Sequence, residues 1–266
     1  MSGTNQRTWH KFHVGHLNVT VQLDSAAEDR SVERHQELAT VARQLIATMD
    51  AERIPATWAV SDPAHSAATS LLLRSAVEHE LAILGDANWV GPTAGRTRFA
   101  RELVRRMTQA RGAKLNVTTL VPSVATIEEH IDLVVKQQIT AVAGLKTPAT
   151  TRSIGAPRAL HYGVWEMPVS AGLPMESTWW SNGKRALWRA IQRTAKDTSS
   201  FHLSIDAAAI AAAGRRDESL VKWLLHRIAT LRDRGLLRIE TLRTTAARLS
   251  DVPATVPQRS ILRAAA

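Results

Sequence analysis

Two residue types in this chain could move a proton. Asp24 stands where the alternating run Leu17-Asn18-Val19-Thr20-Val21-Gln22-Leu23 ends, and His202 lies in the run Ser200-Phe201-His202-Leu203-Ser204-Ile205-Asp206. A carboxylate and an imidazole can take up and hand on protons. Asp24 alone is a weak base, with a reference pKa of about 3.9. Other residues could ligate a metal. His10, His13 and His16 are spaced three apart, which on a helix would stack them on one side, but Gly15 and the β-branched residues nearby argue against a helix there. Asp86, with Asp24 and Asn88, offers oxygen ligands that suit only a weakly held Mg²⁺ or Ca²⁺. There is no cysteine, which excludes thiolate metal sites, disulfides and a cysteine nucleophile. Tryptophan is over-represented, with 8 Trp against 3 Phe and 1 Tyr. Sugars stack on indole faces, which makes Trp165, Trp179 and Trp180 candidates for substrate binding, although Trp is equally a large core residue.

The elements that must position these residues alternate. A strand is expected over 17–23, a helix over 32–52 and a second strand over 56–60, the opening of a parallel α/β unit. Further helices are expected near 67–77, 96–112, 126–136, 183–194 and 217–234. Strands are expected near 79–84, 115–121, 139–142, 165–169, 199–205 and 236–240. The Thr-, Ser-, Pro- and Gly-rich stretch 147–157 reads as a loop. The 266 residues show no break in composition, which implies one domain: an N-terminal extension over 1–16, the folded body over 17–250 and a loose tail over 251–266.

Several short segments, in order, give the chain its resemblance to the polysaccharide deacetylase (NodB-homology) family, from about Asn18 to Leu249. Val19-Thr20-Val21-Gln22-Leu23-Asp24-Ser25 is similar to the family's first strand, where two aspartates follow one another. The resemblance makes Asp24 the general base and puts Ser25 at a metal-ligand position. Ile54-Pro55-Ala56-Thr57-Trp58-Ala59-Val60 is similar to the second strand. His79-Glu80-Leu81 matches the start of the third motif, whose two metal-binding histidines fall here on Leu84 and Asn88. An arginine expected beside Pro122 is replaced by Ser123. His202 matches the histidine that protonates the leaving amine. The implied fold is an irregular (β/α) barrel in a single domain. In that family a metal activates the attacking water and polarises the carbonyl. Serine, leucine and asparagine cannot replace its ligands well.

The resemblance implies a deacetylase-like protein of carbohydrate metabolism. In it, metal-dependent N-deacetylation is lost or weakened and a glycan pocket remains. No cofactor is expected, a weak divalent cation being the alternative. Two other functions stay open. One is an active hydrolase of non-peptide carbon–nitrogen bonds using Asp24 and His202 with an atypical metal or none. The other is a non-enzymatic binder of an anionic polymer. The net charge is +10 with a pI of about 10.9. From Ser181 onward there are 16 Lys or Arg against 7 Asp or Glu, so the surplus sits in the C-terminal third. No apolar run reaches the length of a signal peptide or a membrane span, and a cytoplasmic protein is expected. The oligomeric state is not legible.

Overall fold

The computed structural model describes residues 14–23, 32–64, 66–91, 93–123, 127–144, 156–174 and 180–251. Strands β1 (Gly15–Gln22), β2 (Thr57–Val60), β3 (Glu80–Gly85), β4 (Thr119–Pro122) and β5 (Ala141–Ala143) are followed by β6 (Arg158–Ala159), β7 (Trp165–Met167), β8 (Ala171–Leu173), β9 (Ser200–Asp206) and β10 (Leu237–Glu240). They form one curled sheet in the order β6-β7-β5-β4-β3-β2-β1-β9-β8, with β10 beside the first half of β1. Every pairing is parallel except β6 with β7. The helices are α1 (Val32–Ala51), α2 (Ala67–Leu72), α3 (Ala87–Val90), α4 (Gly95–Gly112), α5 (Ile131–Lys136), α6 (Trp180–Asp197), α7 (Ala207–Ala213), α8 (Arg215–Asp233) and α9 (Leu242–Asp251). Among the described residues, no helix is long and apolar enough to cross a membrane.

Strands β1 to β5 and β9 are largely buried on both faces, and the two faces differ in character. Leu17, Val19, Val21, Trp58, Val60, Ile83, Leu120, Phe201, Leu203 and Ile205 point outward and are covered by helices, forming one large core with Leu103, Ile191 and Leu224. The inward face is narrow, and alanines fill much of it: Ala59, Ala82, Ala141 and Ala143 meet Leu84, Val121 and Met167. Small side chains are what a tightly curled sheet of short strands can enclose. Gly15 opens β1 because the chain there runs against the end of α6; a Cβ would stand 2.7 Å from the Thr194 carbonyl oxygen.

The bottom of the barrel, at the strand starts, is plugged by α9. The backbone N–H of Leu242 donates to Thr57 Oγ1 at 2.9 Å, and that of Arg243 donates to Glu80 Oε2 at 3.0 Å. Glu80 is only 1% exposed and also accepts from the hydroxyls of Thr57 and Thr119. Burial pushes its carboxyl above the usual range, against these hydrogen bonds. The first-turn amides of a helix favour an acceptor of this kind. Leu242 and Ala246 close the interior from below.

The observed elements follow the expected alternation, with differences at their ends. The helix expected over 67–77 stops at Leu72, and the one expected from 126 begins as a short 3₁₀ turn at Glu128. The segment expected to be a loop at 147–157 lies outside the described residues up to 155, as does the tail from 252.

Candidate functional site at the barrel mouth

Alternation along β1 sends His16, Asn18, Thr20 and Gln22 into the barrel, a polar stripe in an otherwise small and apolar interior. Each is held differently. Asn18 Nδ2 donates to the Glu240 carbonyl and to Thr245 Oγ1, both at 2.8 Å, and so fastens β1 to α9. Thr20 and Gln22, nearer the strand end, face an open cavity of about 230 Å³. Its other walls come from strand ends and the β7–β8 link: Pro122, Ser123, Gly144, Val169, Gly172, His202 and Ser204. Ligands of open parallel sheets and barrels enter at this face, outside the carboxyl ends of the strands.

His202 is the third residue of the seven in β9, so it lies inside the strand and not at its end. It is 2% exposed and forms the cavity floor. Its backbone N–H donates to Ser170 Oγ at 3.1 Å, and its carbonyl accepts from the Ser170 amide at 2.8 Å. Nδ1 lies 3.0 Å from the Met167 carbonyl oxygen, and Nε2 lies 2.7 Å from Thr20 Oγ1. His202 therefore ties β7 and the β7–β8 link to β9 and β1. Burial lowers its pKa to about 4, with the Met167 hydrogen bond opposing, so the ring is neutral at pH 7. A carbonyl oxygen can only accept, which puts the proton on Nδ1. Nε2 then carries a lone pair and accepts from the Thr20 hydroxyl.

The remaining polar atoms of the cavity are neutral. Gln22 Nε2 donates to Ser204 Oγ at 3.2 Å. Ser123 Oγ is buried without a hydrogen-bond partner among the described residues. A buried hydroxyl left unsatisfied is costly and marks a place where a ligand or water would be welcome. The described lining thus combines hydroxyls, an amide and an imidazole lone pair with the apolar surfaces of Val121, Ala143 and Val169.

The positions that the resemblance assigns to a metal do not fit one. Leu84 is buried among Ala59, Ala82, Val121 and Met167 and has no donor atom. Asn88 is exposed on α3. Asp86, the other oxygen donor there, caps α3 by accepting from the Asn88 amide at 2.8 Å and lies 3.8 Å from Arg106. Among the described residues, no three acidic, histidine or cysteine side chains cluster as a metal site requires. Asp24, Ser25 and Trp179 lie outside the described residues, as do His10 and His13, and the side chain of Trp180 does too. His16 is at the bottom, 3.5 Å from Glu240. Trp165 opens β7 at the same end, packs against the α9 cluster and donates from Nε1 to Ser250 Oγ at 3.0 Å. It does not line the cavity. Thr20, Gln22 and Ser204 went unnoticed in the sequence, although the polar members of an alternating strand were the signal.

The fold and the place of the cavity define an irregular (β/α) barrel of the polysaccharide deacetylase type, in a single domain. A protein of Mycobacterium smegmatis assigned as a polysaccharide deacetylase superposes with a TM-score of 0.65 over 91% of this chain and 92% of its own, at 14% identity. A protein of Parabacteroides distasonis assigned as a glycoside hydrolase or deacetylase gives 0.60 over 89% and 72%, at 12% identity. Puue allantoinase gives 0.60 over 88% and 89%, at 11% identity. At these identities the likeness is one of fold. No protein-family model matches the sequence, and no curated protein does.

Proposed function

We propose that this barrel is a deacetylase-like, carbohydrate-directed protein that binds an N-acylated sugar at its mouth without a catalytic metal. The observation that carries this reading is the neutral cavity lining. Hydroxyls of Thr20, Ser123 and Ser204 and the Gln22 amide suit the hydroxyls and amide of a sugar, and Val121, Ala143 and Val169 suit an acyl methyl. Trp179 and Trp180, immediately before and at the first position of α6, are proposed to add stacking surface. Trp165 is the weakest of the three candidates, because it is engaged with Ser250.

Titration of the full chain with an N-acetylated chitin oligosaccharide, followed by calorimetry, tests this. Saturable binding is expected. It should weaken with the fully de-N-acetylated oligosaccharide and be indifferent to a chelator. Release of acetate that is abolished by the chelator would refute the metal-free reading.

A second reading keeps hydrolysis of a carbon–nitrogen bond through Asp24 and His202. His202 favours it by holding a basic Nε2 at the cavity floor, which a substrate would reach by displacing or relaying through the Thr20 hydroxyl. In that role Nε2 takes up a proton first and delivers it afterwards, since the neutral ring has no proton on that nitrogen to give. Turnover that survives the chelator and disappears in Asp24→Asn would select this reading.

A further inference from the structure

The arginines of α4 and α6 are treated differently by the fold. On α4, Arg96 pairs with Asp132, Arg105 with Glu102, and Arg106 with Asp86 and Glu102. On α6, Arg185, Arg189, Arg193 and Lys196 make no ion pair among the described residues. The only acid of that helix is Asp197 at its end. At about 100° per residue, the four cations fall within about 80° of the helix circumference, spread over about 16 Å of its length. Arg185, Arg189, Arg193 and Lys196 are exposed, whereas Leu187, Ile191 and Thr194, on the opposite side, are buried. The ridge widens toward α8. Trp188 and Trp223 meet edge to face with centroids 6.0 Å apart. Lys184 Nζ stands 4.0 Å above the Trp223 ring, and the Arg227 guanidinium is 5.8 Å from Trp223 and 5.9 Å from Trp188. The two indoles hold these cations near the ridge and add no negative charge.

From this geometry we infer a docking surface for the phosphate backbone of duplex nucleic acid, recognised by charge and not by sequence. Successive cations on α6 lie about 4.5–6 Å apart along the axis. That spacing calls for a polyanion of high linear charge density, and duplex DNA carries one charge per about 1.7 Å. An acidic glycan with one carboxylate per repeat of two sugars would meet only part of the ridge. Guanidinium groups also form paired hydrogen bonds with phosphate oxygens.

The test uses the full chain and a fluorescein-labelled 30-base-pair DNA duplex, with anisotropy measured between 50 and 300 mM salt. Four variants of α6 combined, Arg185→Ala, Arg189→Ala, Arg193→Ala and Lys196→Ala, are compared with a charge-matched control elsewhere, Arg43→Ala, Arg74→Ala, Arg98→Ala and Arg101→Ala. All eight side chains are exposed, so both proteins should fold, which circular dichroism checks. Wild type and control should bind with a steep inverse salt dependence. The α6 variant should bind at least roughly tenfold more weakly at low salt, with its log–log salt slope reduced by up to about 3.6, the value for four lost phosphate contacts. No binding by the wild type, equal loss in both variants, or tighter binding to hyaluronan than to the duplex at equal salt would each overturn the proposal.

Discussion

The two ends of the barrel solve the problem of buried polarity in opposite ways. At the bottom the two carboxyl groups are fully engaged. Glu80 is held by Thr57, Thr119 and the α9 backbone, and Glu240 by Arg248, Arg238 and His16. At the mouth the groups are neutral, and one of them, Ser123 Oγ, has no hydrogen-bond partner among the described residues. A buried charge must be matched by its own chain, or it costs several kcal/mol. A neutral hydroxyl is cheaper to leave partly open to a ligand. The bottom therefore fixes the fold, and the mouth keeps its hydrogen-bonding capacity in reserve. In barrels of this kind the strand-start face serves stability and the strand-end face serves chemistry.

The largest way to break this contrast is at Glu80. Glu80→Leu leaves the Thr57 and Thr119 hydroxyls and the Arg243 amide without their shared acceptor. Each unsatisfied buried donor costs about 1–3 kcal/mol, so a loss of roughly 4 kcal/mol is expected. For a chain of this size that corresponds to a drop in Tm of roughly 10 °C. Thermal unfolding measures it. Below the new melting point, glycan binding at the mouth should be unchanged. A large loss of binding in the folded protein would show that the two ends are not separate.

Acid separates the ends next. The His202 pKa is lowered to about 4 in the folded chain, against an ordinary value of 6.5. Between those values the unfolded chain binds a proton that the folded chain refuses. The stability contribution is therefore complete above about pH 6.5, falls with decreasing pH, and levels off below about 4. Full expression would be about 3 kcal/mol. Glu240 behaves differently. Burial pushes its carboxyl up, but hydrogen bonds from His16 and Arg248 and the charges of Arg248 and Arg238 outweigh burial and bring it down to about 2. Its contribution is present above the ordinary value of 4.5 and is lost as pH falls toward 2. The mouth should thus weaken at higher pH than the bottom. His79, whose pKa burial also lowers, shares the upper window, and Glu80 works in the opposite sense. The diagnostic quantity is the difference between wild type and His202→Gln in denaturant unfolding at pH 7 and pH 4.5. The two proteins should differ in stability more at pH 7 than at pH 4.5.

A smaller effect is expected at Thr20. Thr20→Val keeps the shape but removes the hydroxyl that donates to His202 Nε2. The imidazole then has an unpaired acceptor beside the cavity, at a cost of about 1–2 kcal/mol. The same change removes an acceptor oxygen from the proposed sugar site, so binding should weaken in parallel with stability. Loss of stability with unaltered binding would mean that Thr20 only positions His202.

How much of this was legible in advance depends on the range of the physics involved. The period-two alternation of β1 and β9 and the apolar spacing of α1, α4 and α8 are local signals, and the architecture followed from them. Short elements without such a signal were missed. The alanine patch at 207–213 became α7, because the Asp206 carboxylate accepts from the Ala209 amide at 2.9 Å and Gly214 ends the helix at φ 82°. Helix α9 has an ordinary sequence, and its importance is tertiary: it ties Thr57 and Glu80 from far along the chain. The site was legible only in part. His202 could be picked out by type, but its neutrality comes from burial contributed by four strands. Thr20 and Gln22 look like ordinary strand residues until the curl of the sheet turns them inward.

Trp165 gives the finest test of which end a residue serves. Its indole Nε1 donates to Ser250 Oγ at 3.0 Å, and its ring packs against the interior cluster to which Leu242 and Ala246 belong. Trp165→Phe keeps an aromatic ring, loses one hydrogen bond and leaves Ser250 its bond to the Ala246 carbonyl. About 1 kcal/mol of stability should be lost, at the small end for a core aromatic, because the donor is removed together with its need for a partner. Affinity for the N-acetylated oligosaccharide should stay within twofold of wild type. If affinity falls tenfold while the melting temperature hardly moves, Trp165 belongs to the sugar site, and the division between a structural bottom and a functional mouth has been drawn in the wrong place.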